Sequence, residues 1–242
     1  MVIHVYGVVR AGTAVPVARG VADAPVERVD AAGLAAVYSP VAAAAEPGDR
    51  EAVLAHADVV AALHRSTDVV PVRFGATEPD TDRLRDVVRE RADSLRAALT
   101  LVAGSVEVAV RFSPRQPVRP SPETAPASAA TSPGRAYLLE RSQRDREARR
   151  MHEQLRALVE PAHADLARHA RRATAVVCPD RGEVRGSYLV GWDALDDVTV
   201  RLGELADHPR VCLAWSGPLP PYSFVDEPSE SKEEVGSGAG GS

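Results

Sequence analysis

The chain has few of the residues that mark secreted, metal-binding or membrane-spanning proteins. Its only cysteines, Cys178 and Cys212, lie in apolar runs, and no Cys-x-x-Cys spacing occurs. We expect both to be buried small hydrophobic residues in a reducing compartment, and a zinc site is not indicated. No apolar run approaches the ~20 residues of a membrane span. The amino terminus lacks the basic and apolar regions of a signal peptide, so no membrane association is predicted.

Sequence motifs for catalysis are missing as well. The chain contains no phosphate-binding loop, no Gly-x-Gly-x-x-Gly after a strand and no Gly-x-Ser-x-Gly elbow. His56 and His64 fall two turns apart on one predicted helix, which is not the spacing of a metal site. Carboxylate pairs such as Asp196 and Asp197 stand near helix starts, where capping and ion pairing explain them. The sequence therefore predicts no enzyme, no metal and no cofactor.

The charged residues do not indicate a nucleic-acid-binding protein. Net charge is −5, and nearly all the cations are arginine, with Lys232 the single lysine. Residues 140–172, a predicted helix, hold nine arginines against six acids. Arginine and glutamate alternate there at three- and four-residue spacings, which is typical of an exposed helix with internal ion pairs. We expect no nucleic-acid partner.

Residues 1–112 are predicted to form an α+β domain with one sheet and helices on one side of it. The hairpin is placed at Ala32-Gly33. In the first helix, the predicted core face comprises Val53, Leu54, Ala57, Val60, Ala61 and His64. The predicted elements are strands at residues 2–9, 26–29, 34–38, 69–75 and 106–112, and helices at 49–65 and 79–101.

Residues 113–134 hold six prolines among Ser, Ala and Thr, a composition that cannot bury a core, and we interpret them as a linker. Residues 135–225 are predicted to form a ferredoxin-like βαββαβ sandwich that opens with a strand at Tyr137-Leu138-Leu139. Pro161 should kink or split its long helix, which spans residues 140–172. Residues 226–242 hold five acids and one lysine before a Gly-Ser-rich end, and we interpret them as a disordered tail.

The segment Gly217-Pro-Leu-Pro-Pro-Tyr-Ser-Phe224 is stiff, because proline fixes φ and removes hydrogen-bond donors. Tyr222 and Phe224 make it an aromatic strap, which either packs on the body of the protein or binds a partner. Packing is favoured, since aromatic side chains usually bury large areas.

Arg73-Phe74-Gly75 ends the strand that contains Pro71, and the glycine permits an unusual φ. Arginine at such a position is often a carboxylate anchor. Internal bracing and partner contact are both compatible with this pattern.

Four motifs, in this order, resemble the gas vesicle protein family GvpL/GvpF. They are Val5-Tyr-Gly-Val-Val9, Val70-Pro-Val-Arg-Phe-Gly75, Ser187-Tyr-Leu-Val190 and Gly217-Pro-Leu-Pro-Pro-Tyr-Ser-Phe224. The resemblance covers residues 2 to about 225. It implies two α+β domains and an accessory role in gas vesicle formation, without catalysis or cofactor. It also implies a location at the gas vesicle in the cytoplasm, and it leaves self-association open.

The partner implied by the resemblance is the small hydrophobic shell protein, together with other gas vesicle accessory proteins. Candidate partner-binding residues are Arg73 and Phe74 at the Pro71 strand, Leu155 and Leu158 on the long helix, and Tyr222 and Phe224 on the strap. Two other classes remain: a ligand-binding regulatory α+β module without a gas vesicle role, and an enzyme that uses Arg73 with a carboxylate. The first needs a polar pocket, and the second needs strongly perturbed titrating groups in a cleft.

Overall fold

The structure is a computed structural model that describes residues 1–16, 18–46, 48–116 and 133–225, with side chains from residue 141 onward in the last range. The chain divides into two compact units. One comprises Met1–Ala103 and the segment from Pro220 onward, and the other comprises Gly104–Leu219. Each contains one antiparallel sheet with helices packed on it, so the fold is mixed α/β.

The first unit is built on a sheet with the strand order β2-β3-β1-β4, and β5 pairs with β1 as well. Turns at Ala32 (φ 52°) and Gly33 (φ 76°) join β2 to β3, which confirms the predicted hairpin. The elements are β1 (Val2–Arg10), β2 (Glu27–Ala31), β3 (Leu34–Val41), α1 (Arg50–Ser66), β4 (Val70–Pro71), β5 (Thr77–Glu78), α2 (Thr81–Glu90) and α3 (Ala92–Val102).

Helices cover both faces of this sheet, whereas the sequence analysis placed them on one. Along β3, Leu34 and Ala36 join a core cluster with residues of α2 and α3. The alternate residues Ala35 and Val37 join a second cluster with α1. Strands buried on both faces lose the apolar–polar alternation that would have indicated one wet face.

The second unit runs β6-α4-β7-β8-α5-β9, and its sheet has the order β7-β8-β6-β9. One cluster forms its core, in which β6 and β8 contribute alternate residues and α4 and α5 contribute their apolar stripes. The elements are β6 (Ser105–Pro114), α4 (Pro133–Ala167), β7 (Arg172–Cys178), β8 (Glu183–Gly191), α5 (Leu195–Ala206) and β9 (Val211–Leu219).

Three boundaries differ from those predicted. Strand β6, assigned above to the first domain, pairs with β8 and β9, so the boundary between the two units along the chain falls between residues 103 and 104. Residues 137–139 are not a strand but lie within α4, which continues through Pro161 to Ala167. Residues 217–219 of the strap are the end of β9 in the second unit, as predicted, but residues 220–224 group with the first unit. In each case the local sequence pattern predicted the type of an element or the domain it belongs to, and contacts with residues distant in sequence gave a different result.

Two predicted segments fall largely outside the described residues. Of the predicted linker, residues 113 and 114 belong to β6, and 133 and 134 belong to α4. Residues 117–132 and the predicted tail, 226–242, are not described.

Candidate functional site

A tight turn at residues 72–76, here called the Arg73 turn, joins β4 to β5 beside β1 in the first unit. Backbone hydrogen bonds fix both of its ends to β1. They run from the amide of Val72 to the carbonyl of Tyr6 (2.9 Å) and from the amide of Val5 to the carbonyl of Ala76 (3.1 Å). Gly75 has φ +94°, as the sequence predicted, and a side chain there would be strained. The turn leaves Arg73 exposed and Phe74 half-buried.

A buried histidine pair lies beneath this turn. His4 of β1 is fully buried, and its Nε2 lies 2.9 Å from Nδ1 of His56 on α1. Nε2 of His56 lies 3.0 Å from the carbonyl oxygen of Val72. Because a carbonyl only accepts, His56 carries a proton on Nε2. The pKa values of both rings are lowered, which favours the neutral forms, and in a neutral pair Nδ1 of His56 accepts from Nε2–H of His4.

The pair is held in an aromatic and apolar environment. The Phe74 ring lies 5.6 Å from the His4 ring and 5.7 Å from the His56 ring, measured between centroids. Burial, and then the neighbouring His56, lower the pKa of His4 to about 4. Burial also lowers the pKa of His56, against the opposing effect of the Val72 carbonyl. Nδ1 of His4 has no hydrogen-bond partner in the described part of the chain. The arrangement therefore favours uncharged histidines and suits a structural brace for the Arg73 turn.

A second polar chain lies next to the histidine pair, where the Tyr6 ring is 5.0 Å from the His4 ring between centroids. The amide of Val21 donates to the Tyr6 hydroxyl (2.8 Å), which donates to Ser39 Oγ (2.9 Å), which donates to the carbonyl of Pro25 (2.9 Å). Burial raises the pKa of Tyr6, so its hydroxyl stays protonated and can donate. These buried polar groups are all satisfied, which is the expected state of a structural network.

The end of the strap, from residue 220 onward, packs on the first unit. Tyr222 is half-buried against the core cluster that includes residues of α1, and Phe74 packs against the same cluster. Burial raises the pKa of Tyr222 to about 12, and the positive charge of Arg73 acts in the opposite direction. Phe224 is half-buried, and Val225 packs on the cluster formed with α2 and α3. Tyr222 is therefore a neighbour of Arg73 and Phe74, although it follows them by about 150 residues in sequence.

The two candidate residues on α4 have different environments, and both lie in the second unit. Leu155 is fully buried in the core, so its side chain is inaccessible to a partner. Leu158 is half-buried and lines a groove of about 630 Å³ between α4, the end of β6 and the start of β9. The groove also carries Arg115 and Arg210, so its lining mixes apolar and cationic groups.

Polar contacts in the second unit tie its helices to each other and to the sheet. The carboxylate of Asp165 on α4 is buried and accepts from the guanidinium groups of Arg168 and Arg201, the latter on α5. The hydrogen bond from Arg201 lowers the pKa of Asp165 most. His163 Nδ1 lies 2.7 Å from the hydroxyl of Tyr188 on β8. Each buried charge has a partner, as a structural role requires.

Helix α1 carries apolar side chains on two faces. Its inner face buries Val59, Val60 and Leu63. On the outer face, Val53 is 37% exposed, Leu54 is 53% exposed, and Ala57 is exposed as well. The sequence analysis assigned Val53, Leu54 and Ala57 to the core, and that assignment was wrong. With two apolar stripes available, helical periodicity could not decide which one the sheet covers.

Two broader properties bear on chemistry. In the described ranges, no three His, Cys, Asp or Glu side chains come together as a metal site would require. None of the helices in those same ranges has the length and apolar character needed to cross a bilayer.

Sequence reasoning missed the His4–His56 pair. It considered His56 only against His64 on the same helix, because spacing within one element is all that a sequence displays. One signal was present: His4 interrupts an otherwise apolar strand, and a polar residue in a buried strand needs a hydrogen-bond partner.

Comparison with known proteins agrees with the motifs. The profile of the family described as "Gas vesicle synthesis protein GvpL/GvpF" matches residues 2–226. Gas vesicle protein F of a Streptomyces species is 29% identical over 242 residues, covering 92% of this chain and 99% of that protein. Gas vesicle protein F2 of Halobacterium salinarum is 29% identical over 198 residues, covering 80% of this chain and 76% of that protein.

Solved structures share the fold. The crystal structure of GvpF from Anabaena has a TM-score of 0.72 at 13% identity and covers 96% of this chain and 99% of that one. GvpF from Microcystis aeruginosa has a TM-score of 0.70 at 13% identity, with 93% and 99% covered. The family profile spans both units and includes all four motifs and the strap. The chain therefore belongs to the GvpL/GvpF family of gas vesicle synthesis proteins.

Proposed function

We propose that this protein is a non-enzymatic accessory factor that binds the small hydrophobic shell protein of the gas vesicle and assists nucleation or assembly of its wall. It would act at the gas vesicle in the cytoplasm, with other accessory proteins as further partners. Family membership supports the gas vesicle role. The proposal of a direct contact with the shell protein rests on the surface of the first unit.

The outer face of α1 is the observation that carries this proposal. Val53 and Leu54 expose apolar side chains on a helix whose other face already packs on the sheet. An assembly factor for a hydrophobic subunit has to cover apolar surface that water would otherwise contact, and this requires apolar surface of its own. Fully burying an exposed leucine contributes about 1.5–3 kcal/mol. Leu54 is 53% exposed, so covering it contributes about half of that free energy, which changes affinity by roughly fourfold to tenfold.

The other candidate residues differ in how they could serve. Arg73 is exposed on a turn braced by the histidine pair, and it remains a proposed contact for a carboxylate of a partner. Leu158 would contribute through the groove beside α4. Phe74, Tyr222 and Phe224 would support the contact surface of the first unit from beneath. Leu155 would support α4 as a core residue.

We also infer that the second unit is a ferredoxin-like sandwich. The inference is supported by the order strand-helix-strand-strand-helix-strand and by a sheet in which the first and third strands, β6 and β8, are central neighbours. Its first strand would be β6, in place of the one predicted at residues 137–139.

Co-expression with the shell protein, followed by affinity capture and size-exclusion chromatography, tests the proposed function. A stable complex with the unaltered chain is expected. Leu54→Glu should abolish it, because a carboxylate would have to be desolvated at the contact. The matched control is Val200→Glu on α5, where the valine is 64% exposed.

The outcomes distinguish whether the chain binds the shell protein at all from whether the outer face of α1 is the contact. If the unaltered chain captures no shell protein, direct binding is wrong. If Leu54→Glu captures as much as the control, binding occurs but the α1 face is not the contact. Leu158→Glu then tests the groove, and its unfolding free energy is measured alongside because Leu158 also packs on the core.

A further inference from the structure

Strand β7 is an open edge of the sheet in the second unit. It pairs with β8 over all seven of its residues without a register shift, and its other side has no neighbouring strand in the described sheet. The central residues Thr174, Ala175 and Val176 are exposed, with Val176 38% exposed. The strand therefore presents a regular row of backbone donors and acceptors with small or β-branched side chains.

The other sheet edges carry features that discourage pairing. Strand β9 has a register irregularity against β6 and contains Pro218. Strand β2 has three charged side chains in five residues, and β4 contains Pro71. Charges, prolines and bulges are the usual means of blocking an edge. In β7 the single charged residue is Arg172, at its first position. The β7 edge therefore lacks the features that protect the edges of β9, β2 and β4.

We propose that β7 pairs with β7 of a second copy of this chain, antiparallel and centred on Ala175. In this register Thr174 lies opposite Val176 of the other copy, and Ala173 lies opposite Val177. Ala173 and Val177 both pack towards the helices in their own unit. Because residues directly opposite each other share a face, the helix-covered faces of the two sheets become continuous. A one-residue slip would join opposite faces, so the pattern itself selects the register.

Charge complementarity favours a second copy as the occupant. Arg172 begins the strand, and Asp180 lies just beyond its end in the turn that leads to β8. Among the described residues, neither side chain has an ion pair of its own. An antiparallel two-fold brings the start of one strand to the end of the other, so each copy offers Arg172 to the other's Asp180. No like charges are opposed along the strand.

Sedimentation velocity on the full chain from about 1 to about 100 μM tests the proposal, since dimer formation depends on protomer concentration. A concentration-dependent dimer is expected. Val176→Lys should weaken it by on the order of tenfold or more, because it places a charge in the middle of the paired edge in both copies. Val200→Lys, at an exposed valine on α5, is the matched control and should leave the dimer unchanged. A chain that stays monomeric throughout overturns the proposal, as does a dimer that Val176→Lys and Val200→Lys affect equally.

Cross-linking gives a second measurement that does not depend on how well Val176→Lys folds. In a Cys178→Ser and Cys212→Ser background, Ala175→Cys places two thiols on the two-fold axis, within the 4.4–6.8 Å between Cα atoms that a disulfide needs. Mild oxidation should give a covalent dimer, and Val200→Cys in the same background should not. Equal cross-linking of the two variants, or none, overturns the register. Capture of the shell protein is measured separately, so failure of β7 pairing leaves the proposed function untouched.

Discussion

Lowering the pH from 7 to 5 should loosen the first unit, because its buried histidine pair is held uncharged. His4 donates to His56, which donates to the carbonyl of Val72 in the Arg73 turn. A proton added to His4 must go to Nδ1, which is buried without a partner in the described part of the chain. An added proton therefore creates a desolvated cation next to a second imidazole.

The size of the effect follows from the pKa of His4, which falls from an ordinary 6.5 to about 4. A lowered pKa in the folded state means that the unfolded chain takes up the proton first. The stabilisation is therefore fully present above pH 6.5 and is lost as the pH falls towards 4. At about 1.4 kcal/mol per pH unit, the loss is ~2 kcal/mol by pH 5 and on the order of 3 kcal/mol by pH 4.

Hydrogen exchange of the β1 amides, corrected for the intrinsic pH dependence of exchange, measures this loss locally. The matched variant is His4→Gln, whose amide can still donate to His56 but does not titrate. We expect the opening free energy of β1 to fall with pH more steeply in the unaltered chain, by about 1.2 kcal/mol between pH 6 and 5. Equal slopes in the two proteins would show that His4 is not the group that titrates, and would refute the reasoning.

Three further predictions concern packing. Leu155→Ala should lower the unfolding free energy of the second unit by about 2–5 kcal/mol, and Leu158→Ala should lower it by clearly less, since only Leu155 is fully buried. Denaturant unfolding followed by tryptophan fluorescence measures both losses, and equal losses would contradict the prediction. Tyr222→Ala should lower the stability of the first unit by about 1–3 kcal/mol in hydrogen exchange, whereas unchanged stability with lost capture of the shell protein would identify the strap as a partner site. Gly20→Ala should cost about 1–3 kcal/mol in denaturant unfolding, because its methyl group would overlap the Tyr6 hydroxyl, and adding Tyr6→Phe should relieve part of that cost; an additive double variant would be the contrary result.

Local patterns in the sequence were sufficient for most helices and strands. The hairpin at Ala32-Gly33 and the unusual φ that Gly75 permits each depend on neighbours within a few residues, and each is found in the structure. These are features for which local backbone conformation decides the outcome.

Assignment of elements to units was less accessible. Strand β6 has the alternation of a half-buried strand, and this alternation is the same whether it closes the first sheet or opens the second. Its place is decided by pairing with β8 and β9, which lie 70 to 110 residues later in the chain. Residues 220–224 of the strap show the same difference, since they were assigned to the domain nearest in sequence.

The surfaces proposed for partners are those for which sequence reasoning gave an incomplete or wrong answer. Leu54 was assigned to the core because an apolar residue at a helical spacing usually is, and β7 drew no attention because a short apolar strand is normally central. The apolar side chain of Leu54 and the unpaired edge of β7 both suit the local helix or strand, but both are unfavourable when they stay exposed to water. Within a single unit neither has a partner element among the described residues that would explain its apolar character. An association that buries the α1 face or extends the β7 edge supplies that explanation, and the capture and sedimentation experiments measure the two associations independently.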